Sequence, residues 1–170
     1  FPDGDFVVKP TVGAGSKDAA RYSSSEHAAA ADHVHSLHAN GRDAIVQPYV
    51  DSVDTDGEFA YVVIDGSLSH VMRKGAMLNQ PEADRSQLFR VEQMSRAPFD
   101  ADAEALAHRV LATAGATEAL YARVDLCRWR NEWVVMELEL TEPSLFLTYD
   151  DRAASRLAAA IAARIGAQRR

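Results

Sequence analysis

Leu120-Tyr121-Ala122-Arg123-Val124-Asp125-Leu126-Cys127 and Trp133-Val134-Val135-Met136-Glu137-Leu138-Glu139-Leu140 read as two strands joined by a short turn at Arg130-Asn131-Glu132. Side chains alternate across a strand, so Glu137 and Glu139 share one face while Met136, Leu138 and Leu140 take the other. The turn brings Asp125 alongside the two glutamates, with Arg123 and Cys127 on its face. Carboxylates gathered on one face repel unless cations sit between them. Hard oxygen donors of this kind suit Mg²⁺ or Mn²⁺, which makes Asp125, Glu137 and Glu139 candidate metal ligands. The same spacing also fits a solvated face of an antiparallel sheet. Arg123 tilts the reading toward a site that handles anions.

Outward from this hairpin, the chain predicts hairpins separated by helices. Asp5 to Pro10 reads as a short strand feeding the Gly13-Ala14-Gly15-Ser16 turn, and an alanine-rich helix runs from Ser24 or Ser25 to the Asn40-Gly41 stop. Ala44 to Val50 is a second apolar strand. Glu58 to Ile64, the Asp65-Gly66 turn and Ser67 to Met72 form a hairpin, since Asp-Gly supplies the positive φ of a tight turn. Residues 75–87 read as a loop and Leu88 to Met94 as an edge strand. Asp100 to Ala114 sets Ala103, Leu106, Ala107, Val110 and Leu111 on one helical face, and Gly115 ends it. Asp150 to Ile165 makes a last helix with a stripe at Leu157, Ile161 and Ile165. Strands joined by hairpins, with helices between the groups, give an α+β fold class.

The chain has 170 residues, long enough for a substantial core in one unit with two lobes. Its 47% hydrophobic and 25% charged composition is that of a globular protein. A net charge of -7 argues against nonspecific binding to nucleic acid or anionic membrane. No apolar run is long enough to span a bilayer. The single Cys127 cannot form an internal disulfide, and a cytoplasmic location is the expectation. Phe1 stands where an initiator Met would, so the chain reads as a piece of a longer one.

Lys9 precedes the glycine-containing loop, where backbone amides could cradle phosphate beside a lysine point charge. The P-loop order is absent. Lys74, after the hairpin, and Arg90 in Leu88-Phe89-Arg90-Val91 are comparable cationic candidates. His27, His33, His35 and His38 fall on one helix; His33 and His35 point apart, so they read as a solvated face rather than a zinc site. Trp129 and Trp133 are read as packing residues. Glu142 and Ser144 fit either substrate contact or a turn cap.

In serial order these elements resemble the ATP-grasp superfamily. Phe6-Val7-Val8-Lys9-Pro10 with Gly13, Gly15 and Ser16 is similar to its phosphate-gripping strand and lid. Val46-Gln47-Pro48-Tyr49-Val50 resembles the hinge strand that holds adenine, and Gly57-Glu58-Phe59 the segment whose Glu meets ribose. Arg123-Val124-Asp125 and Glu137-Leu138-Glu139 resemble the Arg-x-Asp and Glu-x-Asn elements of D-alanyl-D-alanine ligases and glutathione synthetases. Glu139 departs from that pattern, adding a charge where Asn is common. The runs 136–147 and 67–74 look most like the O-ureidoserine cyclo-ligase branch of cycloserine biosynthesis, in which the terminal Lys of the second run, here Lys74, reaches nucleotide phosphate.

The resemblance implies two α+β lobes with mainly antiparallel sheets gripping ATP between them. Residues 1–48 with 57–74 would form the smaller lobe and 75–170 the larger catalytic lobe, with an N-terminal substrate domain outside this chain. It implies ATP with Mg²⁺ or Mn²⁺, two ions, at Asp125, Glu137 and Glu139. Lys9, Gly13, Gly15, Ser16, Gln47, Tyr49, Val50, Glu58 and Lys74 would bind the nucleotide, and Arg123 and Arg90 would serve catalysis. The implied activity is carboxylate activation as an acyl phosphate for attack by an amine-type nucleophile, in a carboxylate-amine ligase or cyclo-ligase. The partners are ATP and a small carboxylate or amino acid-like substrate; no nucleic acid or membrane is expected, and a homodimer is compatible. A non-catalytic nucleotide-binding regulatory module of the same fold, or an α+β interaction domain with an acidic face, are the alternatives.

Overall fold

The computed structural model describes residues 1–13, 16–75 and 94–168. These divide into two compact units. The first takes in Phe1–Asp51, and the second contains Ser52–Gly75 and the described residues from Met94 onward.

In the first unit, β1 (Phe6–Pro10) is the centre of a three-stranded antiparallel sheet, flanked by β2 (Ala20–Tyr22) and β3 (Ala44–Pro48). Helix α1 (His27–Ala39) sets Ala30 and Leu37 against Phe6 and Val8 to close a small core. Strand β2 carries no signal in the sequence. It is three residues long, and it exists through its pairing of Ala20, Arg21 and Tyr22 with Val8, Val7 and Phe6.

The second unit is built on a five-stranded sheet in the order β6-β5-β4-β7-β8. The strands are β4 (Glu58–Ile64), β5 (Ser67–Lys74), β6 (Met94–Ala97), β7 (Tyr121–Trp129) and β8 (Glu132–Glu139), all antiparallel to their neighbours. A short helix, α2 (Ser52–Thr55), leads into β4. Both hairpin turns use consecutive left-handed residues, Asp65 and Gly66 in one and Arg130 and Asn131 in the other. That is the twist a two-residue antiparallel turn requires.

Residues 57–74, expected with the smaller lobe, belong to this larger sheet instead. β4 pairs along its length with β7, from Phe59 opposite Leu126 to Ile64 opposite Tyr121, and backbone pairing outweighs proximity in sequence. The strand expected over 88–94 lies outside the described residues except for Met94, which opens β6.

Helix α3 (Ala101–Thr113) covers one face of the sheet. Ala103, Ala107 and Leu111 pack with Tyr61, Val63, Val71, Val124 and Leu126, the stripe read from the sequence. Helix α4 (Ala153–Gln168) follows a single 3-10 turn at Leu147–Tyr149 and covers part of the other face. Its stripe differs from expectation. Ala153 and Ala160 are the buried positions, Leu157 packs beside Val62 and Ile64, and Ile161 and Ile165 are 39% and 48% exposed. Small residues let the helix approach the sheet closely, and that sets the rotation of its apolar side.

Asp100 joins the α3 layer to the hairpin. Its Oδ1 accepts from the amides of Asp102 and Ala103 at 3.0 and 3.1 Å and from Trp133 Nε1 at 2.9 Å. Its Oδ2 pairs with Arg128 at 2.9 Å. Removing an N-cap side chain costs about 1–2 kcal/mol. Asp100→Ala is therefore expected to lower the unfolding free energy by roughly that amount in urea denaturation, with Asp100→Asn retaining most of it.

Candidate active site

The site lies on the face of the five-stranded sheet opposite α3, and strand register assembles it. Asp125 stands opposite Glu137, and Arg123 opposite Glu139, across the β7–β8 pair. On the other side of β7, Arg123 faces Val62 and Asp125 faces the small Ala60. Glu58 and Lys74 oppose each other at the far ends of β4 and β5. Strict alternation predicts Met136 on the apolar face with Leu138. The pairing instead steps from Asp125↔Glu137 to Leu126↔Val135, so Met136 is the extra residue of a bulge. The bulge keeps Glu137 and Glu139 beside Asp125 while Trp133 still reaches the α3 side of the sheet, packing edge-on to Phe59.

Two cations organise the carboxylates. Lys74 Nζ lies 2.5 Å from Glu58 Oε1 and 2.6 Å from Asp125 Oδ2. Arg123 grips Asp125 with two donors, Nε at 2.8 Å and Nη2 at 2.9 Å, and Nη2 also pairs with Glu139. Asp125 is fully buried, while Lys74 and Arg123 are 8% and 6% exposed. A carboxylate so buried is tolerable only with charge-assisted bonds of this kind.

The titration of these groups follows from who receives the cations. Burial alone would push Asp125 up, but Lys74 and the bonded Arg123 outweigh it and hold its carboxyl below the ordinary value. Glu58 shares only Lys74, so burial wins, with Asp125 adding repulsion, and its carboxyl is raised. Glu139 is also raised by burial against the pull of Arg123, with Glu137 and Asp125 adding repulsion. Lys74 and Arg123 both move upward because their carboxylate partners more than offset burial.

Carboxylate oxygens of Asp125, Glu137 and Glu139 all lie within 4.8 Å of one another. Counting Glu58, four carboxylates face two cations, Lys74 and Arg123, so this all-oxygen donor set has the charge and hardness that suit a divalent cation. The helix histidines form no such cluster among the described residues; His33 instead meets the Tyr22 hydroxyl at 3.0 Å.

The remaining sequence candidates are distributed over both units. Lys9 lies on β1 opposite Ile45, and Gln47 lies on β3 opposite Val7. The Tyr49 amide donates to Asp5 O at 2.8 Å, and its ring carries the Arg21 guanidinium at 3.7 Å. Val50 is buried. Ser16 has a positive φ of 55°, and Gly13 is also among the described residues. Gly15 and Arg90 lie outside the described residues. Cys127 is buried on the Asp125 strand. The Ser144 carbonyl accepts from Arg123 Nη1 at 3.3 Å, a contact its position after β8 did not fix. Gly57 is a further constraint without a sequence motif of its own. With φ of 80°, a Cβ there would lie 2.4 Å from the Lys74 carbonyl, so only glycine lets β4 begin this close to Lys74.

No protein-family model matches the chain. Its fold is that of ATP-grasp ligases. It superposes on the D-alanine–D-alanine ligase of Bacillus anthracis complexed with ATP with a TM-score of 0.61 at 18% identity, over 92% of this chain and 50% of that one. The ATP-grasp ligase PsnB, complexed with a precursor variant, Mg and ADP, gives 0.61 at 18% identity over 94% and 47% of the two chains. Sequence narrows the relation. The chain is 42% identical over 168 residues to the cycloserine biosynthesis protein DcsG of Streptomyces lavendulae, covering 95% of this chain and 55% of that protein. The crystal structure of D-cycloserine synthetase DcsG superposes with a TM-score of 0.86 at 40% identity, over 95% and 56% of the two chains. The chain therefore has the ATP-grasp fold and is similar in sequence to DcsG along nearly all of its own length. It spans about half the length of these relatives.

The raised Glu58 carboxyl has a consequence for stability. Between the unfolded value of about 4.3 and its higher folded value, the native state holds a proton that the unfolded chain has released. Its favourable contribution is therefore complete below about pH 4.3 and is lost as pH rises through the folded value. Glu58→Gln lacks this loss. Urea denaturation across pH is expected to show wild-type stability falling relative to Glu58→Gln as pH rises from about 4 toward neutrality; a constant difference contradicts the assignment.

Proposed function

We propose that this chain supplies the ATP- and Mg²⁺-dependent catalytic part of a ligase that activates a carboxylate as an acyl phosphate for attack by an amine-type nucleophile. The observation that carries the reading is the convergence of Asp125, Glu137 and Glu139 beside Lys74 and Arg123 on one sheet face. The relation to DcsG supports it.

In this reading a substrate carboxylate oxygen attacks the terminal phosphorus of ATP, and ADP leaves. The nucleophile then adds to the acyl carbon and inorganic phosphate leaves. Both reactants of the first step are anions, so their repulsion is the main obstacle. Asp125, Glu137 and Glu139 would hold Mg²⁺, which when bound would supply charge screening for the phosphates. Lys74 is a permanent ammonium, since its partners raise its pKa, and it offers a point charge to phosphate. Arg123 presents a planar fork suited to the transferring phosphoryl group. Neither can serve as a base. Both are held in place by carboxylates before nucleotide arrives, which limits reorganisation during reaction.

The resemblance supports nucleotide roles for Lys9, Gly13, Gly15, Ser16, Gln47, Tyr49, Val50 and Glu58, and a catalytic role for Arg90. A small carboxylate or amino acid-like compound is the proposed substrate class, and a cytoplasmic location follows from the proposed chemistry. Among the described residues no helix is long and apolar enough to cross a membrane.

Glu137→Ala and Glu139→Ala in the full-length protein are each expected to reduce Mg²⁺-dependent ADP formation by about 100-fold or more, with the thermal midpoint retained. Unchanged ADP formation in both purified variants would sink the metal assignment.

A further inference from the structure

Strand β5 is irregular where it passes the site. Its pairing steps from Val62↔His70 to Val63↔Leu68, leaving Ser69 as the extra residue of a bulge. Bulges re-aim side chains, and here neighbours in sequence meet: Ser69 Oγ lies 2.9 Å from His70 Nδ1. His70 Nε2 lies 2.9 Å from the Leu145 carbonyl oxygen. From α4, Arg156 Nε donates to Ser69 Oγ at 2.9 Å, and its Nη2 donates to Ser69 O at 3.0 Å and to Asp150 Oδ1 at 2.6 Å. Asp150 is also paired with Arg96 at 2.8 Å. Ser69 and His70 are both buried, at 6% and 3% exposure.

The direction of each hydrogen bond follows from what each atom can do. A carbonyl only accepts, so His70 Nε2 carries the hydrogen. A guanidinium only donates, so Ser69 Oγ accepts from Arg156 and turns its own proton to His70 Nδ1, the bare nitrogen of a neutral ring. Burial lowers the His70 pKa, aided by Arg156 and Arg96, against the opposing Leu145 bond and Asp150 charge, which keeps the ring neutral. The relay runs one way, from Arg156 through Ser69 and His70 to Leu145. With both ring nitrogens engaged, His70 has no lone pair or proton to offer a substrate.

The relay ends on the segment that follows β8 and braces Arg123. The Ser144 carbonyl accepts from Arg123 Nη1 at 3.3 Å, and the Phe146 ring centre lies 5.4 Å from the Arg123 guanidinium carbon. Phe146 has φ of 49°, a left-handed conformation that a bulky residue holds only when its surroundings over-determine it. Leu145 and Phe146 pack on Val62 and Ile64, on the sheet face that carries the site. We propose that His70 is a positioning residue: by tying down Leu145, it fixes the Ser144 carbonyl and Phe146 ring that orient the Arg123 guanidinium. This role rests on the ligase reading above, in which Arg123 meets the transferring phosphoryl group. Asp125 and Glu139 hold Arg123 from one side; the tethered segment supplies the remaining contacts, a carbonyl for Nη1 and an aromatic ring.

The test compares His70→Phe and His70→Gln in the full-length protein by hydrogen–deuterium exchange over residues 141–149 and by steady-state turnover of Mg²⁺-ATP. His70→Phe is expected to speed exchange in that segment and lower kcat about 10-fold or more, with KM for ATP changed less than about twofold. His70→Gln, whose side-chain amide can still donate to the Leu145 carbonyl, should recover most of both. If His70→Phe does not fold, Ser69→Ala cuts the same relay more gently and should move both readings in the same direction. The proposal is overturned if exchange in 141–149 is unchanged, if exchange rises while kcat holds, or if the Gln variant behaves as the Phe variant. Wild-type protein that forms no ADP would remove the ligase reading, and the exchange comparison would still decide whether His70 tethers the segment.

Discussion

Two buried cations hold three carboxylates on one face of a sheet, with a fourth, Glu137, beside them, and the rest of the larger unit is arranged around that constraint. Lys74 between Glu58 and Asp125, and Arg123 between Asp125 and Glu139, replace water for groups that could not otherwise remain charged at this depth. The pairing is unequal. Asp125 receives both cations and stays ionised, while Glu58 and Glu139 are left with raised pKa values. A site with more carboxylate than cation is poised to accept further positive charge.

The backbone devices serve this arrangement. The bulge at Met136 lets one strand aim Glu137 and Glu139 at Asp125 and still send Trp133 to the α3 face. Gly57 permits β4 to start against the Lys74 backbone. On β5 the bulge at Ser69 brings Ser69 and His70 together beneath the segment that follows β8. Each is a local departure from regular pairing that places a polar group where strict alternation could not, and such departures concentrate where a sheet has chemistry to support.

Much of the larger unit was legible in the sequence because its signals are local. Asp65-Gly66 announced one hairpin, and the period of Arg123, Asp125, Glu137 and Glu139 announced a shared face. Asp100 and Gly115 bracketed α3. What was not legible depends on distant partners. β2 is defined by pairing to β1, and the place of 58–74 by pairing to β7 across 50-odd residues of intervening chain. The exposed Ile161 and Ile165 followed a good helical period, yet the sheet chose Ala153 and Ala160. His70 sits in a strand whose alternation gives no reason to single it out; only its bulged neighbour and Leu145, far along the chain, reveal its bonds.

The central claim is that the carboxylate face is a divalent-cation and nucleotide site. Crystals of the full-length protein grown with Mn²⁺ and a non-hydrolysable ATP analogue test it directly through anomalous scattering. The account predicts Mn²⁺ peaks ligated by Asp125, Glu137 and Glu139, with Lys74 and Arg123 in contact with phosphate from the positions their carboxylates already hold. Nucleotide bound with no Mn²⁺ at these three residues would contradict it.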